Sequence, residues 1–314
     1  TVLRLTMCTL AAVLVSAVFI LTTPPSLIGH AGYFTHKQEL GIFAGAAIIL
    51  GTHELLSRGW RRLLGAVTIC LTFWMMFQSQ SKAPLAFVFA AVAFGTCTVI
   101  ACKLLKTTPT FIVGAVAIGF IALSYVWSDP VQRIAWHLYG DATITGRVYI
   151  WDFINAMISQ KRWLGWGFHS YWSVPNSPHH YAPGFVKDML TTHSGYLEVK
   201  LDTGRIGYCI FLVFLYASLH FMDPRQHTDL IRCWLFITIA TYILLVNLLE
   251  SVWLSAGPLW VLFLIVVSES IHISQKNSGA GIASARPTRQ RLLPRQKIGR
   301  AVNPARGVDA SAMR

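Results

Sequence analysis

"LAFVFAAVAFGTCTVIAC", residues 85–102, holds no charged side chain in 18 positions. A helix of that length rises about 27 Å, close to the ~30 Å hydrocarbon layer of a bilayer. Lipid offers no partner for open backbone N–H and C=O groups, so such a run crosses as a helix. Seven further stretches read the same way: 5–22, 40–56, 63–78, 111–127, 206–221, 234–250 and 256–272. The 63–78 stretch, "LLGAVTICLTFWMMFQ", is short and calls for tilt or local bilayer thinning. The whole chain agrees, at 54% hydrophobic and 12% charged residues, about half the usual charged share. The fold class expected is an all-α polytopic membrane protein with about eight transmembrane helices and a large, partly helical outer loop. Carboxylates are almost absent from mid-span, with Glu54 and Glu250 near span ends, which speaks against an ion or proton pump.

Orientation follows from lysine and arginine, because positively charged loops stay cytoplasmic. Alternation of the spans puts "SRGWRR" (57–62), "KLLKTT" (103–108), "DPRQHTDLIR" (223–232) and the chain beyond about 275 on one side. With Arg4, that side carries 17 of the 26 Lys and Arg and is read as the inside. "ARPTRQRLLPRQKIGRAVNPARG" (285–307) reads as a disordered basic tail suited to anionic lipid headgroups. The net charge of +13 is therefore a topology and lipid signal. No nucleic-acid partner is expected, since that needs a folded basic face.

The outside receives "TPPSLIGHAGYFTHKQE" (23–39), the turn "SQSKA" (79–83), a turn near Ser251–Ser255, and a segment of about 128–205. A connection that long in a compact protein usually carries structure or function of its own. Within it, Val148, Ile150, Trp151, Ile154, Met157 and Ile158 recur near the helical period, which predicts a helix over about 147–160. With its Trp and its Lys-Arg end, that helix could lie in the membrane interface. Gly165 and Gly167 in "WLGWGF" predict a tight turn. "SVPNSPHHYAPGF" (173–185) reads as an irregular, lid-like loop. A second helix is expected to begin near Thr191 or Thr192 and to stop at Gly204, a good helix-ending residue.

On that second helix, His193, Tyr196, Leu197 and Lys200 would share one face. Glu198, Asp202 and Arg205 would share another, as a salt-bridged helix end, with Glu198 and Arg205 the candidate substrate-binding groups. His193 is either an interface histidine or, near a helix N-terminus, a neutral imidazole able to take a proton. Arg147 follows Gly146 and either snorkels and caps or grips phosphate oxygens with its bidentate fork. Lys82 in the outer turn, and Lys37 in "HKQELG" (36–41), either snorkel or meet an anionic group. Trp151, Trp163, Trp166, Tyr171 and Trp172 could form a stacking surface for a ligand or belong to the interfacial aromatic belt.

Other patterns fall away. All six cysteines (Cys8, Cys70, Cys97, Cys102, Cys209 and Cys233) lie in or at the edge of spans without a C-x-x-C pair, and read as small core hydrophobes. His179 and His180 are adjacent, so their side chains are expected to diverge, and no metal site is predicted. Neither a P-loop nor a G-x-G-x-x-G fingerprint is present.

"GRVYIWDFINAMISQKRWLGWGFHSYW" (146–172) followed by "THSGYLEVKLDTGRIG" (192–207) resembles the signature region of bacterial O-antigen ligases and Wzy-type polysaccharide polymerases. The shared pattern is a Gly-Arg before an Ile-Trp helix, a Leu-Gly-x-Gly turn, then a His-Ser before a Tyr-Leu helix. "FTHKQELG" and "SQSKAPL" resemble two upstream motifs of that superfamily, and the combination is most similar to exopolysaccharide polymerases. Gln38 and Ser194 stand where Asn is common, and fewer helices are visible than such proteins carry. With the chain opening on Thr1, further helices before it are expected.

The resemblance implies an inner-membrane glycosyltransferase acting at the periplasmic face on glycan carried by undecaprenyl diphosphate, with no nucleotide sugar, cofactor or obligatory metal. Arg147 would hold the donor diphosphate, His193 would activate the acceptor hydroxyl, and Lys82 and Lys37 would be accessory cations. Its partners would be the lipid-linked donor, a glycan acceptor, membrane lipids and other polysaccharide-assembly proteins. The chain then divides into transmembrane helices over 1–127, a periplasmic catalytic loop over 128–205, further transmembrane helices over 206–274 and the basic cytoplasmic tail over 275–314. A flippase moving the same lipid without chemistry would need paired broken helices with midplane polar groups, and a scaffold would act through its tail.

Overall fold

The computed structural model of the protein describes residues 2–26, 29–126, 133, 136–137, 140, 143–227 and 229–284. Its helices are Val2–Thr22 (α1), Lys37–Leu55 (α2), Arg61–Ser79 (α3), Lys82–Leu104 (α4), Pro109–Val126 (α5), Arg147–Gln160 (α6), Gly195–His220 (α7), Leu230–Val246 (α8) and Pro258–Ser284 (α9). No strand occurs among the described residues. Five of these helices contain stretches long and apolar enough to cross a membrane, and Pro109–Gly119 and Leu230–Val246 are shorter apolar helices. Each of the eight expected spans falls on a helix, so the chain is a multi-pass membrane protein. The expected tail lies largely outside the described residues, as does the start of the long outer segment.

Hydrocarbon gives helices no hydrophobic reason to associate, so close packing has to do it, and small residues allow the approach. α2 and α8 are the most deeply buried helices. A Cβ on Gly45 of α2 would lie 2.1 Å from the Tyr242 hydroxyl of α8, which donates to the Ile42 carbonyl at 2.9 Å. Gly95 lets α4 reach Thr238 of α8, and Gly65 lets α3 reach the Gly51 carbonyl of α2. At the end of α2 away from Lys37, Glu54 is wholly buried and takes both Nε (2.5 Å) and Nη2 (2.9 Å contact to its other oxygen) of Arg61. That satisfied pair clips α2 to α3.

The outer layer is α6 laid against the first turns of α7. α6 runs over the residues that periodicity predicts and buries Ile150, Ile154, Met157 and Ile158 against Tyr171, Val186 and Leu201. α7 differs from the expectation: it starts at Gly195, not near Thr192, because His193 sits in the left-handed region (φ 50) ahead of the N-cap Ser194. His193 therefore shares no helical face with Tyr196 or Lys200. Gly204 breaks the helix (φ 64, ψ −165) but does not end it, for α7 resumes and runs to His220.

The break is splinted by the Leu-Gly-Trp-Gly turn. In an unbroken helix, the N–H groups of Arg205 and Ile206 would bond the carbonyls of Leu201 and Asp202. Here they donate instead to the carbonyls of Arg162 (2.9 Å) and Trp163 (3.2 Å), while Trp166 and Gly167 N–H take Leu201 and Asp202 (2.9 Å each). Four backbone groups freed by the break all find partners in one turn, as buried backbone must.

Three smaller expectations are also corrected. Residues 173–185 are not irregular throughout, since Pro178–Tyr181 and Gly184–Asp188 form short 3-10 turns. The His179 and His180 rings do not diverge; they lie side by side, tilted by 38°, with centroids 3.8 Å apart. Only Cys102 and Cys233 are buried, and Cys8, Cys70, Cys97 and Cys209 are exposed on the helix surfaces that lipid would cover.

Candidate functional site

Arg147 is the first residue of α6. The three residues before it, Ile144 (φ 52), Thr145 (φ 58) and Gly146 (φ 82), are all left-handed. That conformation is costly for a β-branched side chain and marks a held segment. The loop wraps the guanidinium: Nη1 donates to the Thr145 hydroxyl at 2.9 Å and the Ile144 carbonyl at 3.4 Å, and Nε donates to the Leu249 carbonyl at 3.1 Å.

The remaining partner is Glu250, in the connection between α8 and α9. Its Oε1 accepts from Arg147 Nη2 at 2.7 Å, and its Oε2 lies 3.4 Å from His193 Nδ1. One carboxylate thus joins the two residues singled out in the sequence. With Nδ1 turned to a carboxylate, Nε2 is the ring nitrogen left to accept a proton, the division of labour a carboxylate imposes on histidine. The His193 side chain is 26% exposed and the Glu250 side chain 18%, so the centre is partly sheltered while a substrate retains access.

Glu250 is held by backbone. The N–H of Gly195 donates to the carbonyls of both Asn247 and Glu250 at 2.9 Å. Asn247 Oδ1 accepts from the N–H groups of Val252 (3.0 Å) and Trp253 (2.9 Å), closing the loop. Only glycine fits at 195, because a Cβ there would stand 1.9 Å from Asn247 Oδ1. On the other flank Trp151 Nε1 donates to the Thr192 carbonyl at 3.1 Å, tying α6 to the residue before His193.

The other expected residues divide. Glu198 does not pair with Arg205. It accepts from Trp172 Nε1 (2.5 Å), Thr192 N–H (2.8 Å) and the Ser251 hydroxyl (3.2 Å), which makes it the clamp around the His193 segment. Asp202 accepts from the His169 N–H at 3.0 Å through Oδ2, while its buried Oδ1 has no hydrogen-bond partner. Burial pushes this carboxyl up to about 6, and the charge of Glu198 adds to the rise against the lowering effect of the His169 N–H. Arg205 is exposed, its guanidinium 5.5 Å from the Trp163 ring centroid. Trp166 is a structural residue in this arrangement, with Nε1 on the Met157 carbonyl (3.0 Å) and Lys161 Nζ over its ring at 4.2 Å.

Lys82 is exposed at the start of α4, and the Ser81 hydroxyl before it donates to the Lys37 carbonyl at 3.2 Å. α4 runs antiparallel to α8: Gly95 meets Thr238, and Val88 and Tyr242 converge on Gly45. The Lys82 end of α4 therefore lies at the same end of the bundle as Glu250. Arg147 differs from the expectation of an open phosphate fork, because it is 8% exposed and all three of its nitrogens already donate. Glu250 escaped the sequence reading, which saw only an acid near a span end. Among the described residues no three His, Cys, Asp or Glu gather as metal ligands.

A multi-pass helical membrane protein with a histidine–carboxylate–guanidinium centre at one end of its bundle is the class these features define. Residues 65–212 match the O-antigen ligase family model, a stretch that contains Lys82, Arg147 and His193. The resemblance read from the sequence motifs is borne out over those residues. The chain is 22% identical over 199 residues to the "Exopolysaccharide production protein ExoQ" of Rhizobium meliloti, covering 60% of this chain and 45% of that protein. It is 27% identical over 238 residues to a "Putative polysaccharide ligase" of Rickettsia felis, covering 72% of this chain and 55% of that protein. The chain spans about half the length of the curated relatives it matches.

Proposed function

We propose that the protein is a glycosyltransferase of the bacterial inner membrane that polymerises or transfers glycan from undecaprenyl diphosphate at the periplasmic face. One observation carries the reading: Glu250 takes Arg147 on one carboxylate oxygen and faces His193 with the other. The names of the two relatives support the same field of chemistry.

In the step proposed, an acceptor sugar hydroxyl attacks the anomeric carbon of the donor glycan. The bond between that carbon and the diphosphate oxygen breaks, and the leaving group departs as the lipid diphosphate anion. The hydroxyl proton passes to His193 Nε2, which acts as general base. Glu250 fixes the ring and balances the imidazolium as it forms. Arg147 anchors Glu250 and supplies a fixed positive charge, the preorganised kind that stabilises developing negative charge. Since its donors are engaged, the exposed Lys82 is the cation assigned to meet the diphosphate, with Lys37 beside it.

Purified protein incubated with a lipid-linked repeat unit tests this directly. An enzyme lengthens or transfers the glycan and releases undecaprenyl diphosphate, whereas a flippase or scaffold releases none. His193→Asn is the sharper variant, because Asn tolerates the left-handed backbone that His193 occupies (φ 50). Product formation is expected to vanish in it at unchanged protein level, and normal product would remove the general-base assignment.

A further inference from the structure

Three cations of the outer layer, Lys161, Arg162 and Arg205, are exposed, and among the described residues none of them joins an ion pair. They are brought together by the splint at Gly204, where the Arg205 N–H donates to the Arg162 carbonyl at 2.9 Å. Two aromatic rings orient them, with Lys161 over Trp166 and Arg205 beside Trp163.

The depth of this cluster is fixed by covalent and hydrogen-bond geometry. Just past Arg205, α7 presents Ile206, Ile210 and Val213 outward at 49%, 66% and 68% exposure, an apolar stripe at the depth of the hydrocarbon. The Ile206 N–H bonds the Trp163 carbonyl at 3.2 Å, so the turn sits at the level where that stripe begins. Trp163 and Leu164 project from it at 59% and 75% exposure. A tryptophan and a leucine at the edge of hydrocarbon, ringed by cations, have the chemistry of the lipid interface.

We propose that the 161–164 turn together with Arg205 binds the phosphate of an anionic phospholipid, with Trp163 and Leu164 seated among the uppermost acyl carbons. The three cations close on the headgroup phosphate, and the apolar pair holds the outer layer down on the bilayer.

The test uses the full chain in nanodiscs of mixed phosphatidylglycerol and phosphatidylcholine, with retained lipid counted by native mass spectrometry. The Lys161→Gln, Arg162→Gln, Arg205→Gln triple variant should lose its preference for retained phosphatidylglycerol by roughly fivefold, since each cation near an anionic surface contributes separately. Trp163→Ala, with all charges kept, should also lower retention, and it serves if the triple variant does not fold. Unchanged phosphatidylglycerol retention in a folded triple variant overturns the site. Displacement of the lipid by millimolar glycerol phosphate also overturns it, because the turn would then recognise phosphate without the membrane.

Discussion

Gly165 and Gly204 stand back to back across the break in α7. A Cβ on Gly204 would lie 2.5 Å from the Gly165 nitrogen, and one on Gly165 would lie 2.6 Å from the Gly204 nitrogen. Both residues are left-handed, at φ +70 and φ +64, so an alanine would carry backbone strain as well as the clash. Gly165→Ala and Gly204→Ala should each cost about 3 kcal/mol or more, in the range reserved for special backbone sites and overpacking. Gly184 is the control: it has φ +60 but nothing within 4 Å of its would-be Cβ, and alanine there should cost only about 1 kcal/mol. Thermal unfolding in detergent, with proteolysis of the outer layer as a second probe, separates the two outcomes.

Glu250 should be needed for both stability and product. Glu250→Ala leaves the Arg147 guanidinium buried without its carboxylate, which typically costs about 3–5 kcal/mol. Glu250→Gln keeps an acceptor for Nη2, so it should unfold close to wild type yet lose product formation by roughly tenfold or more, as expected when the group orienting a base is neutralised. A Glu250→Gln protein with full activity would reduce the acid to a structural clip.

Lys82 is assigned to the diphosphate as an exposed charge. Lys82→Ala should weaken donor use with little change in unfolding temperature, because the side chain has little burial to lose. Lys82→Arg should recover most of the loss. Donor saturation curves for the three proteins decide it, and an unchanged curve for Lys82→Ala would free that lysine from the role.

Asp202 predicts a pH dependence opposite to that of a salt-bridged acid. Its folded pKa of about 6 lies above the ordinary value near 3.9 for an unfolded chain. The folded state thus binds the proton more tightly than the unfolded state. The associated stability is complete below about pH 4 and is lost as pH rises through about 6, up to about 3 kcal/mol in total. Asp202→Asn keeps an acceptor for the His169 N–H and removes the titration. Its unfolding temperature should therefore change less than that of wild type between pH 5 and 7.5, and parallel curves would show that Asp202 is ionised throughout.

The spans and α6 were legible because their signal is local. A run of apolar residues, or Ile150, Ile154 and Ile158 on one helical face, needs no knowledge of the rest of the chain. Arg147 and His193 stood out through sequence motifs, but what joins them did not, for Glu250 is 103 residues from Arg147 and 57 from His193. The pairing of Glu198, Asp202 and Arg205 looked favourable from helical spacing alone. It failed because Trp172, Thr192, Ser251 and the His169 backbone offer Glu198 and Asp202 less exposed partners. The start of α7 was misjudged for a similar reason: a left-handed histidine has no signature in composition. The glycines at 45, 65 and 95 set how closely the helices approach, through partners far away in sequence.

Glu250 is delivered by the hairpin after α8, whereas Arg147 and His193 ride on the layer that caps the bundle. The Gly195 N–H on the Glu250 carbonyl ties the two parts together, and their relative tilt depends on how α7, α8 and α9 fit the surrounding hydrocarbon. Lipids with longer or shorter acyl chains shift such tilts at small energetic cost, and a contact already at 3.4 Å has little slack. Turnover measured across a series of chain lengths should pass through a maximum, which would make the centre a gauge of bilayer thickness.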